Sequence, residues 1–196
     1  MGDGDLGAGR AGGSKRADAR RNQETLLDAA AAIFVRSGVD APVREIACEA
    51  GVGTGTIYRH FPTRADLIIA VYRHQVEALA EAGSSLLTSS PTAYAALARW
   101  IDQFVDFLVT KHGLAAALRS DEAGFGALHT YFLERLVPAC ARLLEAAVAS
   151  GEIRTGIEAY ELMRGVGNLC IGAETDPSYD ARRLVELLVA GLRRLG

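Results

Sequence analysis

The sequence is poor in the residues that mark several protein classes. It has three cysteines in 196 residues (Cys48, Cys140 and Cys170), and none lies near another at a metal-ligand spacing. That excludes a disulfide scaffold and a zinc module, and reduced thiols are expected. No stretch of about 20 apolar residues runs free of charge, so no bilayer span and no membrane partner are expected. The N-terminus lacks the compact apolar segment of a secretory signal, which leads to an expected cytoplasmic location. No segment alternates apolar and polar residues at period two, so strands are not expected. The four histidines are scattered, and there is neither a nucleophile elbow nor a phosphate-cradling glycine loop. Catalytic residues, a metal site and a cofactor are therefore not expected, and the chain does not read as an enzyme.

What is present is a helical pattern on an uneven distribution of charge. Hydrophobic residues make up 49% of the chain, enough for a sizeable core. The net charge of −3 argues against a polyanionic partner only if it is evenly spread. It is not: residues 10–73 carry ten basic and seven acidic side chains, whereas residues 74–196 carry eleven basic and fifteen acidic ones. A surface for nucleic acid is expected in the front third.

Residues 1–14 hold six glycines and few apolar side chains, which reads as a mobile tail. With Lys15, Arg16, Arg20 and Arg21 behind it, such a tail is either simply solvated or an arm that follows DNA phosphates. A first helix is expected over 22–37, where Leu26, Leu27, Ala30, Ile33 and Phe34 share a face and Gly38 supplies the left-handed stop. A short helix from Pro42 to Ala50 follows, with Asp40 as a candidate cap. Another runs from Thr54 to His60, and a longer one opens at Thr63 with Asp66 completing a capping box. Further helices are expected over 92–112, 128–150, 159–173 and 179–195. Gly113, Gly124 and Gly126 should punctuate turns, and Pro138 should kink or break its helix.

Two helices under three turns each, joined by Ala50-Gly51-Val52-Gly53, form the helix-turn-helix pattern. Val43, Ile46, Ala47, Val52, Ile57 and Phe61 should face inward. Arg44, Thr54, Gly55, Thr56, Tyr58, Arg59 and His60 should face outward, and the small residues that open the second helix suit close approach to base edges.

The run VREIACEAGVGTGTIYRHF (43–61), followed by PTRADL, resembles the DNA-binding domain of the TetR/AcrR family of transcriptional repressors. Gly51-Val52, Gly55-Thr56-Ile57-Tyr58 and His60-Phe61 carry the specific part of that likeness, which covers residues 20–75. The resemblance implies an all-α chain of about nine helices. Its organisation would be a flexible basic, glycine-rich tail over 1–19, a helix-turn-helix domain over 20–75, and an effector-binding and dimerisation domain over 76–196. It also implies roles at the interface with double-stranded operator DNA. Arg44 is the candidate for a bidentate guanine contact, while Thr54 and Thr56 would meet base edges, with Gly55 giving clearance. Tyr58 and His60 would bond phosphates, Arg59 would face a phosphate or solvent, and Arg64 would clamp a further phosphate. On the residues alone, Arg44 could equally be a solvated arginine paired with Glu45 or Glu49. The chain departs from the family pattern in lacking a hydroxyl cap on the second helix, and Thr54 stands where many relatives have lysine or glutamine.

A regulator of this kind needs a sensor. Trp100, Phe104, Phe107 and Leu108, with Phe125 and Tyr131 downstream, are candidate walls for a small apolar or aromatic effector, although ordinary core gives the same stripe. His112, Arg119, His129 and Asn168 are candidate polar groups. Met163, Val166 and Leu169, with Leu184, Leu188 and Leu192, are the candidate homodimer interface, in the four-helix arrangement that the resemblance implies. The alternative is that these faces bury only against their own chain. Two competing readings are a thiol redox sensor using Cys140 and Cys170, and a helical enzyme. The excess of arginine over lysine, nineteen to two, fits a GC-rich bacterial genome.

Overall fold

The computed structural model describes residues 8–117, 122–154, 156–171 and 178–194, with side chains placed over 20–108 and, beyond 125, across the same ranges. Among the described residues there are eight helices and no named strand. That is one helix fewer than the expected nine. The chain divides between His74 and Gln75 into two compact units.

The first unit opens with α1 (Ala8–Ser37), which begins fourteen residues before the expected start at Asn22. Residues 1–7 of the expected tail lie outside the described residues. The rest of that tail is helical backbone: the helix anchored on the buried Leu26–Phe34 face runs on through alanine and basic residues and past Gly12 and Gly13, which on their own disfavour helix. Gly38 closes it at φ +79°, its N–H donating to the Phe34 carbonyl at 3.0 Å. The second helix, α2 (Val43–Glu49), starts from Pro42 without any side-chain cap, so Asp40 does not serve as one. It ends in a Schellman motif. Gly51, at φ +66°, donates to the Cys48 carbonyl at 3.2 Å, and Val52 donates to that of Ala47 at 2.9 Å. The third helix is α3 (Thr54–His60). Ile46, Ala47, Ile57 and Phe61 are buried; α2 packs on α1, and α3 packs on α2.

The division between the units falls within α4 (Arg64–Ser89). Its capping box forms in full: the Asp66 N–H donates to Thr63 Oγ1 at 3.1 Å and the Thr63 N–H to Asp66 Oδ2 at 3.0 Å. In the second unit, α5 (Ala93–Ala117) runs through Gly113, and α6 (Glu122–Ala149) contains Gly124, Gly126 and Pro138. None of these ends a helix. Leu136, Ala139, Cys140 and Leu143 beside the proline are fully buried, and that burial outweighs one lost backbone hydrogen bond. The last helices are α7 (Ala159–Cys170), with a capping box between Glu158 and Glu161, and α8 (Ala181–Ala190), capped by Asp180. The chain then returns along the segment before α7, pairing Ile153 with Arg193 in an isolated antiparallel bridge. Trp100, at zero exposure, sits in the core of this unit and donates from Nε1 to the Leu79 carbonyl at 2.8 Å.

Candidate nucleic-acid interface and sensor unit

Helix α3 turns Ile57 inward and leaves Thr54, Gly55, Tyr58, Arg59 and His60 exposed, with Thr56 half-buried. Tyr58 is 54% exposed, unusual for so large an apolar ring. Arg44 on α2 is also exposed, and among the described residues no hydrogen bond or ion pair engages it. Glu49, one of its two possible partners, pairs instead with Arg36 at 3.2 Å. A guanidinium left with all its donors on the surface can make a bidentate contact to a base edge or a phosphate.

Gly55 adds a second argument. Its backbone lies in the ordinary helical region, and a Cβ built there meets nothing within 4 Å. Alanine would favour this helix by up to about 1 kcal/mol, and among the described residues no contact requires glycine at this position. The open space there would admit close approach by an external partner.

Arg64 is placed differently from the phosphate clamp expected of it. Its Nε donates to the Val39 carbonyl at 2.9 Å, and its Nη2 donates to the carbonyls of Val39 and Ala41, the latter at 2.7 Å. The guanidinium lies 5.0 Å over the Phe34 ring. Burial lowers its proton affinity, while Asp40 and Tyr58 oppose that shift. Asp40 lines the same surface cleft of about 390 Å³ as Tyr58 and Arg64, and a carboxylate there works against a phosphate. Arg64 is thus a strut between α4 and the α1–α2 loop, because those loop carbonyls have no helical partner and take its donors.

The sensor candidates divide into core and surface. Trp100, Phe104, Phe107 and Leu108 are all buried. Trp100 stacks on Phe104 at 5.6 Å between centroids, Phe104 on Phe132 at 6.0 Å, and Phe107 on Phe132 at 5.8 Å. His129 stacks on the same Phe132 ring at 5.8 Å. The side chains of Phe125, His112 and Arg119 lie outside the described residues. Tyr131 is half-buried, and its hydroxyl donates to Glu77 Oε1. Arg135 grips the same carboxylate, with Nε at 2.8 Å from Oε1. The Arg135 hydrogen bond does most to hold the Glu77 carboxyl below the usual carboxylate range, so Tyr131 belongs to a tie between α4 and α6. Asn168 on α7 is exposed.

Between α5 and α8 lies a cavity of about 160 Å³ lined by Tyr94, Ile101, Val105, Arg182, Val185 and Val189 among others. Arg182 reaches from α8 to Asp102 and Asp106 of α5. Sequence reasoning missed this tie, although two carboxylates at i and i+4 present one acidic edge that an arginine on a neighbouring helix can bridge.

The proposed dimer residues also split. Met163 and Val166 are buried within the second unit and Leu169 is half-buried, because that stripe of α7 packs on α5, α6 and α8. The outward apolar side chains are Tyr160, Ile171, Leu184 and Leu187, the last 61% exposed. Leu184 was read from sequence. Leu187, one turn further along α8, was not, although its i+3 spacing from Leu184 was the available signal. Leu188 and Leu192 are half-buried.

The thiols give the redox reading no support. Cys140 and Cys170 are free and buried, and burial pushes the Cys140 thiol up to about 12 and raises that of Cys170. A redox sensor needs a thiolate that solvent can reach, and such thiols ionise too little.

Residues 26–71 match the family model of bacterial regulatory proteins of the tetR family, and residues 90–194 match the C-terminal domain of SbtR-like transcriptional regulators. Among solved structures, the TetR transcriptional regulator SCO0520 from Streptomyces coelicolor is similar at TM-score 0.79 and 36% identity, over 89% of this chain and 99% of that one. The TetR transcription regulatory protein from Mycobacterium vanbaalenii is similar at TM-score 0.71 and 28% identity, over 91% and 99%. The fatty acid metabolism regulator protein of Bacillus subtilis (strain 168) is 25% identical over 181 residues, 85% of this chain and 93% of its own length.

Proposed function

Since the chain belongs to the TetR family of bacterial regulatory proteins, we propose that it is a repressor that binds a palindromic operator as a homodimer and is released by a small apolar or aromatic effector. The observation that carries this reading is the outward face of α2 and α3. Among the described residues no hydrogen bond or ion pair engages Arg44, and a Cβ at Gly55 would meet nothing within 4 Å. Arg44, Thr54, Thr56 and Tyr58 would read or position the DNA, with Arg59 and His60 at the phosphates. Two such heads would enter successive major grooves, about one helical turn or somewhat more apart.

The effector class rests on the apolar and aromatic make-up of the second unit and on the likeness to a regulator of fatty acid metabolism. Ligand bound there would displace α4 and change the spacing of the two heads. It must bind the released state more tightly, since only differential affinity shifts an equilibrium.

Selection of bound duplexes from a random pool tests the DNA reading. The expected product is an inverted repeat with half-sites about one turn apart, and a pool that never enriches would sink the proposal. The dimer is tested separately through Leu184 and Leu187 on the exposed face of α8. Leu187→Arg combined with Leu184→Arg should convert a sedimenting dimer into a folded monomer and cost most of the operator affinity, because the two half-sites are then bound independently. A double variant that still sediments as a dimer would place the interface elsewhere.

A further inference from the structure

The cavity between α5 and α8 belongs neither to the aromatic core nor to the outward face of the second unit. Its walls are aliphatic: Ala98, Ile101 and Val105 of α5 face Val185 and Val189 of α8. Trp100, Phe104 and Phe107 stand on a different face of α5, so the aromatic stack does not line it. Leu184 and Leu187 lie on the opposite side of α8, which leaves the cavity clear of the proposed dimer contact. A cavity of about 160 Å³ with such walls takes one small ring more readily than water, which finds few hydrogen-bond partners there.

The charged groups on its lining are unequal. Asp102, Arg182 and Glu186 are all exposed, so this polar edge meets solvent. Arg182 is committed to Asp102 and Asp106, whose two carboxylates outweigh its single charge. Glu186 differs: among the described residues no hydrogen bond or ion pair engages it. Tyr94 lines the cavity about two turns of α5 before Asp102, and Arg193 lies over its ring, 5.0 Å from the centroid. With that arginine counted, three carboxylates stand against two guanidinium groups, and the group without a partner is an acid.

We propose that this cavity binds a small organic cation, its apolar body between α5 and α8 and its ammonium group at the carboxylate of Glu186. The chemistry selects the ligand in two steps. Aliphatic walls supply affinity without regard to sign. The acidic edge then selects sign, because an anion would be repelled there and a neutral ring would gain nothing from Glu186. The site is independent of the DNA-binding reading, since no residue of α2 or α3 contributes to it.

Benzylammonium, benzyl alcohol and benzoate share one ring and differ in charge. Each is titrated into the full chain while the valine methyl resonances are followed by NMR. Benzylammonium should bind about 5-fold more tightly than benzyl alcohol, the gain of one exposed ion pair, and benzoate should not bind. The shifted methyls should be those of Val105, Val185 and Val189. Glu186→Gln should bring benzylammonium down to the affinity of the alcohol and leave the alcohol unchanged. Ala98→Leu, which fills the cavity, should abolish binding of both. Equal affinity for all three probes in the native chain would overturn the proposal, and so would a cation preference that survives Glu186→Gln. Binding that persists in Ala98→Leu, shifts confined to other valines, or no binding at millimolar probe would overturn it as well. Since no operator enters the measurement, such a failure leaves the DNA-binding reading where it stood.

Discussion

The Arg44→Ala/Tyr58→Ala variant should bind its operator on the order of 100-fold more weakly than the native chain, or worse, and should melt at the same temperature. A bidentate arginine–guanine contact contributes about 1–3 kcal/mol of discrimination, and a dimer makes it twice, so the loss compounds across two half-sites. Stability is spared because both side chains are exposed and neither fills the core. The single variant Arg44→Lys separates charge from geometry. Lysine retains the attraction to phosphate but not the planar fork, so the salt slope should persist while preference at one base pair relaxes. Filter binding or fluorescence anisotropy on the selected operator reads both effects. Unchanged affinity in the double variant would mean that α2 and α3 are not the reading surface.

At Trp100 the expected effect is on stability. Its ring has zero exposure, stacks on Phe104, and donates to the Leu79 carbonyl at 2.8 Å. Trp100→Ala should destabilise the second unit by about 3–5 kcal/mol, a large part of what a domain has to spare. Trp100→Phe should cost less, since it keeps the aromatic contacts and loses the indole hydrogen bond and part of the volume. Gly83 on α4 is packed around this ring, with an added Cβ falling 3.7 Å from the indole nitrogen. Collapse into the vacated space therefore requires α4 itself to shift. Urea unfolding followed by circular dichroism should show a lower midpoint in both variants. A cost under about 1 kcal/mol for Trp100→Ala would mean that the aromatic stack yields easily, and the ring would then be a plausible wall for a ligand.

Much of this architecture could be read from residue order, and the misreadings share a cause. Gly38 and Gly51 were legible as stops because each needs a left-handed backbone, which only glycine adopts without strain. Gly113, Gly124 and Gly126 carry the same letter without that need. The backbone of α5 and α6 stays helical through them. Likewise, the α3 face was legible because a single large aliphatic residue, Ile57, stands among small, polar and amphipathic ones within seven positions. Arg64 was not, since its partners are two backbone carbonyls 25 and 23 residues away, and a carbonyl has no signature in sequence. On α7 the apolar residues cover about half the helix surface, with Met163 towards the middle and Tyr160 at one edge. Periodicity could identify two faces there but not assign Met163 to the inside and Tyr160 to the outside.

The Arg64 strut also bears on how the two heads can be moved. Within the first unit, α4 is fastened at its first turn to the α1–α2 loop through Arg64, and one level further along to α1 through His74 and Asp28 at 2.7 Å. Two fastenings about fifteen ångströms apart on one helix leave the reading head no hinge of its own. If the chain works as proposed, a torque along α4 would swing the head as a solid block, with Arg44 and Tyr58 keeping their mutual geometry. Induction would then change pitch and leave grammar alone: each head would retain its taste in bases while the pair lost the spacing at which both can be satisfied.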